Sequence, residues 1–421
     1  MVQAVIISSL ILLFLSLPIF LVFGIGSSLV AILGLNLPWS TLIQVAFGSV
    51  TKHVLLAIPL FIFAGLIMLK AGVARRLVSF AMSLVGHWPG GLGISMVITM
   101  AFFAAFCGSI LAAITAVGSI MMPEMLKKGY SPAFTVMLAA AAGLLEALIP
   151  PSNAAIIYSA LTYVPVSKTF AAGTLPGITL MIVLIFLVLF KCRNMEREGK
   201  ASSQERIIAF KQALPGLVTP VIILGGIYSG LLTPSETAAV ASAWAIVVGF
   251  LIYRELTFGG ILEALKSTIF STTVIFSIIA MATFLSVVLT YTQAPQKFTE
   301  TVISLGVNDL QFLLLVGVVC LILGTFIEIV PVFYLTVPVF MVIALKLEIP
   351  LVHLYIVFTA FAGLGLLTPP VCVGVYTAAS VINISADRAF KEVPLFIIVG
   401  ILYAIAMIFM PFMSTWLPSL V

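Results

Sequence analysis

Residues 143–153 read GLLEALIPPSN and lie inside a long apolar segment. Pro150 and Pro151 remove two backbone donors and push the residues before them out of the helical region, so a helix entering this stretch must break. Glu146, Ser152 and Asn153 put polar side chains around the break. In lipid, backbone groups freed by a break cost several kcal/mol each unless protein, water or an ion satisfies them, so such breaks are tolerated where they line a cavity. The device returns at 365–371, GLLTPPV, where Pro369-Pro370 follow Pro150-Pro151 by 219 positions. Two breaks in matching places of two halves point to a transport site.

The 421-residue chain is 62% hydrophobic and 8% charged, against about 25% charged in soluble domains. This is the composition of an all-α polytopic membrane protein in a lipid bilayer. The apolar run from Val2 has neither a basic n-region nor a small-residue cleavage site, and reads as a retained membrane helix. A net charge of +5 spread over loops excludes nucleic acid as a partner. Cys107, Cys192, Cys320 and Cys372 are far apart and read as small buried hydrophobes, not disulfides or metal ligands. His53, His87 and His353 are isolated and are expected at membrane interfaces. With no HExxH or GxSxG, and with Glu146 and Glu328 as the only acids expected in the interior, an intramembrane enzyme is excluded and no cofactor is implied.

Two halves follow from the order of apolar segments. The first, 1–190, holds an apolar run (2–34), a span (53–70), an amphipathic connector (72–86), a hairpin (90–125), the broken helix (132–162) and a span (174–190). Arg75 and Arg76 before the hairpin and Lys127 and Lys128 after it put both its ends on the cytoplasmic side, which makes it re-entrant. Residues 191–234 form a basic cytoplasmic loop and a linking helix (215–231). The second half, 235–421, opens on a capping box at Thr233, Pro234 and Glu236. It continues with a span (235–253), a connector (257–267), a span (268–291), an outer-side hairpin (309–345), a broken helix (350–383) and a closing helix (394–418). The linking helix turns the second copy over, giving an inverted repeat with two re-entrant helical hairpins and two broken transmembrane helices.

Gly108-Ser109 and Gly324-Thr325 stand at the hairpin tips, 216 positions apart. Sodium is a hard ion that wants several oxygens, and hydroxyls, amides and unwound carbonyls supply them. Gly108, Ser109, Ser152, Asn153, Gly324, Thr325 and Thr368 are the sodium candidates, with no other metal expected. The alternative is that the small residues only let helices pack closely. Glu146, Glu328, Pro150, Pro151, Pro369 and Pro370 are the substrate or gating candidates. A carboxylate in an apolar stretch is a coupling-ion ligand, a proton site, a gate, or a protonated structural donor. Glu236 is explained by its capping box, and Asn383 is expected at the interface. No Lys or Arg lies mid-span, so an anionic substrate would rest on helix N-termini, hydroxyls and amides.

Six stretches then carry a family resemblance: GHWPGGLG (86–93), GSIMMPEMLKKGYSP (118–132), IPPSN (149–153), GGIYSGLLTPSETAAVA (225–241), YRELTF (253–258) and LGLLTPP (364–370). Together they resemble the large membrane subunit of TRAP transporters (DctM-like) over nearly the whole chain. The resemblance implies a sodium-driven importer of organic acids, such as dicarboxylates, sialic acid or sugar acids, in the bacterial cytoplasmic (inner) membrane. It also implies an elevator-type scaffold plus transport domain, the latter built from the two hairpins and two broken helices. The implied partners are a small four-helix membrane subunit and a periplasmic substrate-binding protein. Three departures surround the presumed sites: Ile110-Leu111 after the first tip, Glu146 where the family favours a small residue or proline, and Cys372 where it favours glycine. The other reading is a standalone sodium- or proton-coupled secondary carrier with the same hairpins and breaks.

Overall fold

The computed structural model describes residues 12, 17–195, 197 and 199–421, and every regular element among them is helical. Among the described residues, eight helices are long and apolar enough to cross a membrane, or up to ten if each bent pair is one span. α1 (Ile19–Leu29) starts behind Pro18 and continues through a π turn to Gly34, so Gly24 and Gly26 sit inside one helix. Most of the apolar run before Leu17 lies outside the described residues. α2 (Trp39–Val50) was not anticipated as an element, and it turns Trp39, Ile43 and Phe47 outward at helical spacing. α3 (Ala57–Lys70) and the amphipathic α4 (Val73–Val85) match the expected span and connector.

α5 (Gly91–Cys107) and α6 (Ile110–Lys127) form the first hairpin, and α7 (Pro132–Gly143), α8 (Leu145–Leu148) and α9 (Asn153–Thr162) form the first broken helix. Its two limbs are bent by 41°. α10 (Val166–Lys191) and α11 (Ser203–Tyr228) follow, each 26 residues. α11 begins well before residue 215, inside the expected loop, because Ser202 and Glu205 close a capping box there. The capping box of Thr233 and Glu236 starts α12 (Pro234–Val247) as read from sequence.

The second half differs from expectation in its connector and in its closing helix. Residues 257–267 are no connector but the first turns of α13 (Phe258–Tyr291), a single helix of 34 residues. No proline interrupts it, and Thr257 caps its start, its Oγ1 accepting from the Gly260 amide at 3.1 Å; at 1.5 Å per residue it is roughly 51 Å long. The amphipathic connector is instead α14 (Ala294–Ser304), entered through Gln293 at φ +57°. α15 (Asp309–Gly324) and α16 (Ile329–Lys346) make the second hairpin, and α17 (Leu351–Gly365) and α18 (Val373–Val381) the second broken helix. α19 (Val393–Phe409) closes the chain with α20 (Phe412–Thr415) and a final turn bent 74° from it, so the closing helix is not straight.

The run Tyr253–Leu256 has a structural task at the helix ends. Glu255 pairs with Arg75 at 2.5 Å and Arg76 at 2.7 Å, and Tyr253 lies 3.7 Å under the Arg76 guanidinium. The Tyr253 hydroxyl donates to the Gln212 carbonyl at 2.6 Å. Half-exposed pairs of this kind contribute only about 0–1 kcal/mol each, so their effect is to orient α4 against α11 and α12. In the interior, Tyr158, Phe333, Tyr355 and Phe358 pack edge to face or tilted, with centroids 5.1–6.3 Å apart, and join the two halves.

Candidate functional site

The first break begins where α8 ends. Ile149 turns extended, Pro150 and Pro151 prevent continuation, and helix resumes at Asn153. The Ala147 carbonyl loses its helical partner and receives two hydroxyls instead, Ser152 Oγ at 3.0 Å and Tyr355 OH at 2.7 Å. Ser152 therefore spends its donor closing the break. Tyr355 comes from the other half and was missed from sequence; the trace was a phenol inside the apolar run of α17. Both proline pairs are cis.

The first hairpin tip lies against this break. Gly108 ends α5 at φ +67°, a conformation glycine adopts freely. Its carbonyl accepts from Asn153 Nδ2, and a Cβ on Gly108 would lie 3.1 Å from the Asn153 amide. Ser109 caps α6, its Oγ accepting from the Ala112 amide at 3.5 Å. Gly65 of α3 seats the end of α5, since a Cβ there would come 2.7 Å from Cys107 Cα.

A cavity of about 140 Å³ opens at this junction. Gly108, Ser109, Glu146, Asn153 and Glu328 line it, facing Ser267 and Ser271 of α13. Glu146 is 4% and Asn153 6% exposed, and neither Glu146 Oε1 nor Asn153 Oδ1 has a hydrogen-bond partner. Buried acceptors of this kind are rare and call for an explanation. Glu146 also lies within electrostatic range of the Ile110 backbone amide and the Glu328 carboxylate. Ser267 and Ser271, four apart on one helix face, were missed because the sequence was divided between a connector (257–267) and a span (268–291) at this point.

Glu328 presents its side chain at the cavity and stands at the N-cap of α16 without bonding that helix's amides. The second tip is also arranged differently from the first. Gly324 packs so closely on Ala362 and Gly365 that a Cβ would collide with backbone. Thr325 Oγ1 donates to the Ile322 carbonyl at 2.7 Å, and Thr368 Oγ1 to Leu364 at 2.9 Å. Neither threonine lines the cavity, and Pro369 and Pro370 are exposed whereas Pro150 and Pro151 are buried. His353 departs from the interface expectation too: it is buried, its Nδ1 2.8 Å from Ser414 Oγ.

With this geometry in place, likeness to known proteins can be read. The family profile "Tripartite ATP-independent periplasmic transporter, DctM component" matches residues 6–413. The chain belongs to this family. It is 36% identical over 375 residues to the C4-dicarboxylate TRAP transporter large permease protein DctM of Pseudomonas aeruginosa, covering 89% of this chain and 88% of that one. The sialic acid TRAP transporter large permease protein SiaM of Vibrio cholerae is 33% identical, covering 90% and 89%. The ectoine/5-hydroxyectoine large permease UehC of Ruegeria pomeroyi is 30% identical, covering 90% and 89%. In fold, the chain is similar to the YdaH transporter of Alcanivorax borkumensis, with a TM-score of 0.57 at 16% identity, covering 92% and 88%. DctM-family relatives are thus transporter permeases with differing substrates, and this chain is a multi-pass membrane member of the same family.

Proposed function

We propose that this chain is the permease subunit of a sodium-coupled importer of organic acids that depends on a periplasmic binding protein and sits in a bacterial inner membrane. The observation that carries the reading is the cavity where the first tip, the first break and Glu328 meet, with two buried acceptor oxygens lacking partners. Sodium fits this donor set: Asn153 Oδ1, the Gly108 carbonyl, Ser109 Oγ and Glu146 are all hard oxygens. When bound, the ion would neutralise the carboxylates and draw tip and break together. Asn153 is the hinge of that arrangement, since its Nδ2 already holds the Gly108 carbonyl.

An elevator mechanism is supported by which elements face the cavity. α3 and α13 line one side, and the tips and breaks the other. The hairpins and broken helices would move as one body past α1–α3 and α11–α13, carrying the cavity across. The amphipathic helix, hairpin, broken helix and closing span recur in that order in each half with α11 between them, which supports the inverted repeat. The outward apolar face of α2, with Trp39 and Phe47, suits lipid or a small four-helix membrane subunit. The isethionate permease DctMQ of Oleidesulfovibrio alaskensis, 31% identical, is longer, and this chain covers 60% of it.

Uptake in proteoliposomes tests the reading. Accumulation that needs both an inward sodium gradient and the binding protein supports it. Sodium- or proton-driven uptake without a binding protein would instead make the chain a standalone carrier.

A further inference from the structure

One cation sits where helix packing calls for an apolar side chain. The buried residues early in α11 recur at helical spacing, Ala209, Ala213 and Gly216. Arg206 stands on the same stripe, three residues before Ala209. It is half-buried, and its Nε and Nη2 are shielded from solvent without a hydrogen-bond partner. A shielded charge with no counter-group is costly. The edge of the guanidinium that carries Nε and Nη2 matches two oxygens of a phosphate or carboxylate.

The stripe faces α4, and the two helices run antiparallel. Gly216 lies against the Val73 side chain, and the Phe210 ring is 5.5 Å from that of Phe80. Continued, this register brings Arg206 to the far end of α4, at Leu84 and the turn holding His87 and Trp88. His87 repeats the anomaly: its ring is half-buried, and its Nδ1 is shielded and unpartnered. The surface around the pair is apolar, with Leu84, Trp88, Ile207 and Phe210 38–55% exposed. Tryptophan, exposed aliphatic side chains and cations together mark the polar edge of a bilayer. Arg193, Lys200 and Lys211 are exposed nearby in the chain and form no ion pair among the described residues, so they add attraction for anionic headgroups.

We propose that the junction of α4 and α11 binds an anionic phospholipid, its phosphate held by Arg206 Nε and Nη2 and by His87 Nδ1, its acyl chains along Leu84, Trp88, Ile207 and Phe210. A free phosphate would use the same donors and leave the apolar rim bare, so the rim selects the lipid. The Glu255 pairs fix the start of α4, and the lipid fixes its end. This inference does not depend on the transport reading.

The test is lipid binding by the full-length permease, delipidated in a neutral detergent and titrated in native mass spectrometry. The probes are phosphatidylglycerol and phosphatidylcholine with equal chains, and inorganic phosphate as competitor. The first phosphatidylglycerol should bind about tenfold more tightly than phosphatidylcholine, and millimolar phosphate should not displace it. Arg206→Gln should remove most of that preference, and His87→Ala should weaken it about threefold. Lys211→Gln, an equal loss of charge nearby, should leave it within about twofold. Arg206→Lys keeps the charge but not the fork, and should still bind about threefold more weakly; it serves as the variant if Arg206→Gln does not fold. Equal affinity for the two lipids, displacement by inorganic phosphate, equal effects of Arg206→Gln and Lys211→Gln, or full binding in Arg206→Lys would each overturn the inference.

Discussion

At the scale of single residues, two neighbours in the first break have opposite tasks. Ser152 and Tyr355 satisfy the Ala147 carbonyl, whereas Asn153 turns an unpaired oxygen to the cavity. Ser152→Ala or Tyr355→Phe alone leaves one donor on that carbonyl and should cost about 1 kcal/mol. The double variant leaves it bare and should cost more than the two together, which a double-mutant cycle by thermal denaturation in detergent would read. Additive losses would mean the carbonyl finds another partner. Asn153→Ala should instead raise the sodium concentration needed for half-maximal uptake at least tenfold with little loss of folded protein. Ser109→Ala should do the same more weakly, and Thr325→Ala least, since Thr325 bonds its own helix away from the cavity. Equal effects at both tips would show that the second tip moves into the site.

At the scale of elements, glycine decides how closely hairpin and broken helix approach. Gly324 and Gly365 touch backbone to backbone, so Gly324→Ala should push α15 off α17 and destabilise by about 1–3 kcal/mol. A thermal shift assay on the purified permease checks this, and an unchanged midpoint would mean that the contact is not tight. Much at this scale was legible in sequence. Proline pairs, capping residues and the glycine tips mark boundaries by local chemistry, and α5, α6, α9 and α12 begin or end at them. The connector of the second half was not legible, because residues 257–267 and 294–304 are both polar enough to leave the membrane. Only continuity of the helical backbone through Ser267 distinguishes them. The membership of the cavity was partly legible. Glu146 and Asn153 stood out as polar groups beside a break, but Ser267, Ser271 and Tyr355 reach the site from distant segments. No local pattern announces such partners.

For the whole molecule, the elevator reading makes the cavity an interface between a moving and a fixed body. Ser109 on the first tip and Ser271 on α13 line it from opposite sides. Cysteines at both positions, in a background without the native cysteines, should be joined by a short bifunctional thiol reagent, and joining them should abolish the uptake that the unlinked variant retains. Uptake that survives complete cross-linking would show that α13 and the tip do not separate during transport.

The central claim is that a sodium gradient and a delivered substrate together drive this permease. Its most direct test is uptake into proteoliposomes holding the permease and its small membrane partner, with the sodium gradient and the binding protein each supplied or withheld. Accumulation only when both are present, and lost when the sodium gradient is collapsed, is the result expected. Equal uptake without sodium, or without the binding protein, would contradict it.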